Sequence, residues 1–573
     1  MAFLRRMDKD LQYYAELVEE IGKGSLSKDK IAKLKIKLCQ KYKKKKIPTD
    51  IEVILNTPRS KLNKIKKFIQ SKPTRTISGV AVVAVMSKPH KCPHGKCSIC
   101  PGGVDSIFGD VPQSYTGHEP ATMRGVRGGF NSYIQVFNRL EQYIVQGHVP
   151  DKVELIVMGG TFISVSKKYQ KEFITSCFQA MNDFSSMFFR GGELKLEKFK
   201  EFFELPGDVG SSDRLKKIHF KINKLQLART VELKTEQKRN EKTKIRCVGL
   251  TIETRPDYGT LEYGNQMLEL GATRVEIGIQ SVYDDVLEKM NRGHSVSDSI
   301  KSIQELRDLG FKLNFHYMIG LPGSSSIKDL NGFKQLFDSE DFKPDMIKIY
   351  PCMVMPGTKL ENLMKQKKFK PINTDQAIEL IGEFKRYIPE YCRVMRVQRD
   401  IPPNRSVGGV DKSNLRQYVH EYCANKKIKC KCIRCREVGR AKQIDKLQLV
   451  VREYVANGGK EYFISIEDVT HDVISGFCRL RIPQKSMRKE ITLDSALIRE
   501  LHVYGSAVAV GDSTKKESQH KGLGKKLMNK AEEIALKEGR HKLVVISGIG
   551  VREYYRKIGY KKEGPYMVKK IVI

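Results

Sequence analysis

The sequence predicts an α/β protein: a partial barrel of six β/α units, then a smaller α/β domain, with a basic helical segment before them and a cysteine-rich connector between. Short apolar runs of strand length recur at 79–85, 153–158, 246–252, 274–279, 312–319 and 346–350, with helical periodicity between most of them. A second set follows at 447–455, 462–466, 473–482 and 496–510, then helix 522–538, strand 542–547 and helix 551–558. The stretch that separates the two sets, 390–440, is dense in Arg, Cys and Pro.

At 573 residues the chain has room for three or four domains. The boundaries read from the pattern are 1–75, 76–389, 390–444 and 445–573. In the first segment Leu11, Tyr14, Leu17, Val18 and Ile21 share a helical face, as do Ile31, Leu34 and Leu38. The segment carries 21 Lys+Arg against 8 Asp+Glu, densest at Lys41 and Lys43 to Lys46. A charge run is often a solvated face; basic helices ahead of catalytic-looking sequence favour nucleic-acid docking instead. The whole chain carries a net charge of +38, which argues for a polyanionic partner over a general basic bias.

No apolar run approaches the ~18 residues of a membrane span, and the N-terminus shows no signal-peptide pattern. The expectation is a soluble, cytoplasmic protein without a membrane partner, whose thirteen cysteines stay reduced.

Parallel β/α units place reactive loops at the strand C-termini. The charged stretch near 190–245 reads as an insertion between the second and third strands. Cys92, Cys97 and Cys100 form C-x4-C-x2-C directly after the first strand. Three thiolates on one Gly-rich loop can hold three irons of a 4Fe–4S cluster and leave the fourth without a protein ligand. An open iron can chelate S-adenosylmethionine and split it into a 5′-deoxyadenosyl radical. The plain alternative is a structural zinc completed by His90 or His94.

These residues resemble the radical-SAM enzymes. The extra residue in the first cysteine gap, Thr76 to Val83, Cys92-Pro93-His94-Gly95-Lys96-Cys97, Pro101-Gly102-Gly103 and Gln113 to Gly117 are similar to the Elongator catalytic subunit family, in an archaeal-like form. The resemblance implies that Gly159, Gly160 and Thr161 form the motif that meets the methionine amino group, with Thr161 where many families have Glu. It places Glu253, of Glu253-Thr254-Arg255-Pro256-Asp257, and Gln280, of Glu276-Ile277-Gly278-Ile279-Gln280-Ser281, near the nucleoside. It also implies that Lys167 reaches coenzyme A from the radical domain.

In the last domain Gln519-His520-Lys521-Gly522-Leu523-Gly524 opens a helix after a long strand, a setting in which backbone N–H groups converge on phosphate. With Tyr554 to Tyr560 on the helix after the next strand, it resembles the GNAT acetyltransferases. That resemblance implies that Gln519, Gly522, Leu523, Gly524 and Lys525 grip the coenzyme A pyrophosphate, and that Glu500, Leu501, His502 and Val503 line the acetyl group. Tyr555 is the candidate acid for the leaving thiolate; its plain alternative is a packed core aromatic.

Cys430, Cys432 and Cys435, in C-x-C-x2-C spacing, suit a structural zinc, with Cys423 as the candidate fourth ligand and buried reduced thiols as the alternative. The joint expectation is a tRNA-modifying acyltransferase. A radical drawn from the acetyl methyl of acetyl-CoA adds to C5 of the wobble uridine, and thioester hydrolysis leaves a carboxymethyl group. The anticodon stem-loop is the partner, with an electron donor for the cluster and either Elongator-type subunits or a homodimer. A second reading is a protein lysine acetyltransferase with a structural iron–sulfur cluster; a third is a tRNA-binding scaffold.

Overall fold

The computed structural model describes residues 2–24, 26–44, 46–69, 79–207, 211–440, 444–504 and 522–572. Four N-terminal helices, Ala2–Gly22, Lys28–Lys41, Asp50–Leu55 and Arg59–Ile69, pack around Tyr13, Leu17, Val18, Ile21, Ile31, Leu38, Val53 and Ile65. Ser27 caps the second helix, and Thr49 with Glu52 forms a capping box on the third. Leu11, expected on the inner face, is 65% exposed; Tyr13 fills the core in its place.

The barrel sheet takes its strands in chain order, all parallel: Ala81–Met86, Lys152–Met158, Arg246–Thr254, Arg274–Gln280, Lys312–Ile319, Met346–Pro351 and Arg393–Arg396. The seventh strand had no counterpart among the expected six. Four residues reading Arg-Val-Met-Arg are too short and too basic to register as an apolar run, and only pairing with Met346–Pro351 makes them a strand.

Alternation along these strands sets the character of the interior. Val275, Ile277 and Ile279 face the apolar layer beneath the helices, while Glu276, Gly278 and Gln280 line the bore. Likewise Val153, Leu155 and Val157 point outward, and Glu154, Ile156 and Met158 inward. The expected insertion is a small hairpin, Phe189–Arg190 with Glu193–Leu194, and helices Leu196–Phe202, Ser212–Leu227 and Leu233–Asn240.

The second sheet runs in the order Gln448–Ala456, Gly459–Asp468, Val473–Ile482, Ser495–Val503, Lys542–Val545, Tyr566–Lys570, Lys561–Glu563. Only Ser495–Val503 and Lys542–Val545 are parallel neighbours. Helix Leu523–Lys537 covers one face, packing Leu527, Met528 and Ala531 against Ile464, Leu480 and Ile498. The expected strand over 496–510 is described to Val503; 505–521 fall outside the described residues.

The other face of this sheet seats on the feet of the barrel strands. Arg479, Arg481 and Arg499, all fully buried, reach across: Arg479 to the Tyr391 carbonyl (2.7 Å), Arg481 to Asp308 (2.6 Å) and Arg499 to Asp345 (2.6 and 2.7 Å). Phe463, Ile474, Phe477, Leu497 and Val544 join the barrel's own apolar core, so the two domains share one interior.

Candidate active site

The loop after the first barrel strand brings Cys92, Cys97 and Cys100 to one cavity at the C-terminal end of the barrel. Each sulfur has a neighbour that can donate to it. Thr161 Oγ1 lies 3.9 Å from Cys92 Sγ, and the Ser114 backbone N–H donates to Cys100 Sγ at 3.2 Å. Cys97 Sγ takes the Arg292 guanidinium at 3.6 Å and His94 Nε2 at 3.2 Å. Arg255 contacts His94 Nδ1 and is itself anchored on Asp257 (2.9 and 3.0 Å). Burial together with Arg255 and Arg292 pushes His94 down to about 4, so the ring is neutral at physiological pH.

Tetrahedral zinc on thiolates, with Zn–S near 2.3 Å, draws sulfurs to about 3.8 Å of one another. Among the described residues the three sulfurs grouped within 4.8 Å are those of Cys430, Cys432 and Cys435. Those of Cys92, Cys97 and Cys100 form no such group, and their wider stance with a donor at each sulfur fits three corners of a 4Fe–4S cluster.

Gly159, Gly160 and Thr161 stand beside this loop. Gly159 has φ +125°, and a Cβ there would lie 2.3 Å from Ser87 Oγ, so the strand tip closes on the loop only because the side chain is absent. Gly160 and Thr161 line the cavity with Glu253 and Gln280, so the structure gathers every expected residue of the radical site except Gly159, which supports it from behind. Gln280 has φ +63° at its strand end.

Below the tips the bore is polar. Glu253 accepts from the Tyr115 hydroxyl at 3.1 Å and lies 3.5 Å from Lys348 Nζ. Lys348 also contacts Glu276, which meets His316 Nε2 at 2.8 Å and Arg274 at 3.3 Å; Arg274 continues to Glu154 at 2.5 Å. Burial opposes ionisation of Glu276, yet Lys348, His316 and Arg274 hold it well below the usual carboxylate range. Burial and Lys348 push the His316 imidazole down, against the pull of Glu276. Sequence reasoning missed Arg274, Arg292, His316 and Lys348. For Arg274, His316 and Lys348 the signal was present as polar residues inside otherwise apolar runs, the signature of strands whose inner face is not a dry core; Arg292, in the loop before helix Val296–Asp308, carried none.

In the second domain the pairing of Ser495–Val503 with Lys542–Val545 ends at Ile498↔Val545. Residues 500–503 continue paired only with Val473–Ile482, so the sheet opens on that side. Leu501 and Val503 face this opening and the covering helix. Glu500 does not: it pairs with Arg479 (2.9 Å) and Lys312 (3.7 Å) on the barrel side. His502 also faces the barrel, stacked on Phe477 and tilted against Tyr504, with Nε2 buried and unbonded. The side chains of the four residues expected to line the acetyl group therefore divide between the two faces, because Arg499, bulged opposite the Arg479–Leu480 step, shifts the alternation and puts Glu500 and His502 on the barrel side.

Gly522, at φ +94°, starts helix Leu523–Lys537, and Leu523, Gly524 and Lys525 form its first turn. A Cβ on Gly524 would lie 2.8 Å from the Tyr554 hydroxyl. Gln519 lies outside the described residues. Tyr555 is 5% exposed, edge-on to Tyr554 (5.3 Å) and Tyr560 (5.8 Å), and burial raises its phenol far above the ordinary value. Lys167 stands 76% exposed at the start of helix Lys167–Phe188, 3.9 Å from Glu262, and is not among the residues lining the cysteine cavity.

Cys430, Cys432 and Cys435 converge in the connector, which supplies three ligands for a zinc ion. Cys423 is not among them; its sulfur lies 3.9 Å from the Gly382 carbonyl, because helix Leu415–Asn425 turns it toward the barrel helices.

The cysteine cavity and the GNAT domain share the seventh barrel strand. Arg393 donates to the Tyr504 hydroxyl (2.8 Å) and to Glu437 (2.8 Å), while Met395 and Arg396 of the same strand wall the cysteine cavity. Arg434, next to Cys435, lines that cavity as well.

A half-open parallel barrel with a three-cysteine loop, joined to an acetyltransferase sheet, defines a radical-SAM enzyme fused to a GNAT domain. The Radical SAM superfamily matches residues 86–327, the Radical SAM C-terminal domain 344–425, the GNAT acetyltransferase family 434–560 and the ELP3 N-terminal domain 11–77. The chain is 46% identical over 533 residues to a tRNA uridine(34) acetyltransferase of Methanocaldococcus infernus, covering 91% of this chain and 92% of that one. It is 38% identical over 570 residues to Elongator complex protein 3 of Saccharomyces cerevisiae, covering 97% and 94%. A solved structure of the Methanocaldococcus infernus Elp3, lacking its first 46 residues, superposes with TM-score 0.69 and 40% identity over 87% of this chain and 100% of that one. The chain belongs to the Elongator complex protein 3 family.

Proposed function

We propose that this protein is an acyltransferase that modifies the wobble uridine of tRNA at C5 with an acetyl-derived, carboxymethyl group. The observation that carries the reading is the shared wall: one strand, Arg393–Arg396, borders the cysteine cavity and holds the GNAT domain through Tyr504. The names of the relatives supply the substrate, tRNA uridine at position 34.

Cys92, Cys97 and Cys100 would hold a 4Fe–4S cluster, which with S-adenosylmethionine would supply one-electron cleavage and hence radical chemistry. Thr161, Arg292 and the Ser114 N–H orient the three sulfurs, and Gly159 and Gly160 let the second strand tip approach the loop. In the GNAT domain the first turn from Leu523 to Lys525 receives the pyrophosphate of acetyl-CoA, and the opening beyond Ile498 admits its thioester arm beside Leu501 and Val503. Tyr555, protonated at neutral pH, donates to the leaving thiolate. The basic N-terminal helices and Arg396, Arg399 and Arg434 hold the RNA backbone. Zinc on the connector thiols holds the segment that carries Arg434. The partners are the anticodon stem-loop, a low-potential electron donor and either further Elongator-type subunits or a second copy, in the cytoplasm. No described helix is long and apolar enough to cross a membrane.

The test is nucleoside mass spectrometry of tRNA after anaerobic incubation of the reconstituted protein with S-adenosylmethionine, acetyl-CoA and a reductant. A carboxymethyl-type mass gain on the wobble uridine is expected. Unchanged uridine with acetylated lysine peptides would transfer the assignment to protein acetylation.

A further inference from the structure

The bore holds more charge than a barrel needs to stay folded. Lys348 is already neutralised by Glu276, which His316 and Arg274 support from behind. Glu253 adds a second carboxylate, 3.5 Å from the same ammonium and on the wall of the cavity that also contains the three cysteines. Its Oε2 takes only the Tyr115 hydroxyl among the described hydrogen bonds, at 3.1 Å, and an ionised carboxylate has about four acceptor positions. The cavity wall thus presents a fixed cation donor and, beside it, a fixed anionic acceptor with capacity to spare.

We infer that this pair reads the target base: Lys348 donates to O4 of uracil, and Glu253 accepts from its N3–H. The inference rests on the wobble-uridine reading above and names the residues that select the base. Uracil carries an acceptor at position 4 next to a donor at position 3. Cytosine carries the reverse, an amino donor facing the Lys348 ammonium and a bare N3 lone pair facing the Glu253 carboxylate, so both contacts fail together. C5 adjoins C4 but is not part of the edge being read, so recognition leaves the reacting carbon free. Glu276 acts as a positioning residue, keeping Lys348 charged and fixed in place. Glu253, Glu276 and His316 also have the spacing of metal ligands, but Lys348 supplies the positive charge they would otherwise require.

The experiment uses the reconstituted full-length enzyme and anticodon stem-loop RNAs with uridine, cytidine or 3-methyluridine at the wobble position. Modified nucleoside, 5′-deoxyadenosine release and RNA affinity are measured together. Wild type should prefer uridine over cytidine by about 10³-fold or more in kcat/KM, and 3-methyluridine, which keeps C5 but lacks N3–H, should be as poor as cytidine. Glu253→Gln presents either an amide oxygen or an amino group to N3, so it should relieve that one mismatch and cut the uridine-to-cytidine preference by about tenfold or more, the Lys348 contact still favouring uridine. Lys348→Met strands the Glu276 carboxylate, so the paired change Lys348→Met with Glu276→Gln is measured beside it and should lose discrimination with RNA affinity retained. The inference is overturned if 3-methyluridine reacts as fast as uridine, or if the variants slow both bases equally with the preference intact. If wild type leaves uridine unmodified, the functional reading fails first and this inference with it. If wild type modifies uridine and the variants keep its preference, only this inference fails.

Discussion

Arg499, on the GNAT sheet, forks onto the carboxylate of Asp345 at the foot of the barrel with bonds of 2.6 and 2.7 Å, both side chains fully buried. The same guanidinium donates to the Phe311 carbonyl (2.8 Å) and to Glu461 (2.9 Å), so one side chain holds barrel and acetyltransferase sheet in register. Removing one partner of a buried pair strands the other charge in low dielectric. Arg499→Met should therefore destabilise the full chain by about 3–5 kcal/mol, read by chemical denaturation. A loss below about 1 kcal/mol would show that the interface is held by its apolar contacts alone.

Cys97→Ser removes one corner of the cysteine loop without touching the GNAT domain. Iron content and the visible absorbance of the reconstituted protein should fall, together with 5′-deoxyadenosine formation. Acetyl-CoA affinity by calorimetry should not change. A parallel loss of coenzyme binding would mean that the loop supports the GNAT pocket structurally.

The connector thiols give a paired expectation. Cys432→Ser should release zinc by elemental analysis, since Cys430, Cys432 and Cys435 share one 4.8 Å group. Cys423→Ser should retain it, because that sulfur faces the Gly382 carbonyl. Zinc loss in the second variant would show that the helix carrying Cys423 turns when the metal binds.

Tyr554 and Tyr555 separate by position. Tyr555→Phe should lower thioester turnover by about 10²–10⁴-fold while leaving acetyl-CoA affinity nearly intact, as loss of a general acid does. Tyr554→Phe, whose hydroxyl rests against Gly524, should alter affinity for the coenzyme instead. The opposite outcome would exchange their roles.

His502 gives a pH signature. Burial, partly offset by Glu500, pushes its pKa from 6.5 down to about 4. A depressed histidine favours the neutral form in the folded state, so its contribution is full above pH 6.5 and is lost as pH falls toward 4. His502→Gln should flatten stability over that window, with an effect of no more than about 3 kcal/mol. An unchanged slope would place the acid sensitivity in other groups.

The chemistry was legible wherever ligand spacing is local. C-x4-C-x2-C, C-x-C-x2-C and the glycine turn before Leu523 each lie within one loop, and the six apolar runs became strands with ends shifted by only a few residues. Four residues escaped. Arg274, His316 and Lys348 are polar positions inside apolar strands, a pattern that points to a wet inner face without saying which charges meet there, and Arg292 lies in a loop with no pattern of its own. The side chains of Glu500 and His502 turn to the barrel side because Arg499 is an extra, unpaired residue in their own strand, and a bulge shows only once the strand is paired with Val473–Ile482.

Composition, periodicity and motif spacing by themselves determined the two domain types, the two thiol clusters and the basic character of the chain, since each depends on residues a few positions apart. Tertiary structure alone decided which charges face one another. Arg499 and Asp345 are 154 residues apart and Arg393 and Tyr504 are 111 apart. A pairing across that distance is fixed only when the barrel has closed far enough to present its strand feet to the second sheet, and no local pattern encodes it.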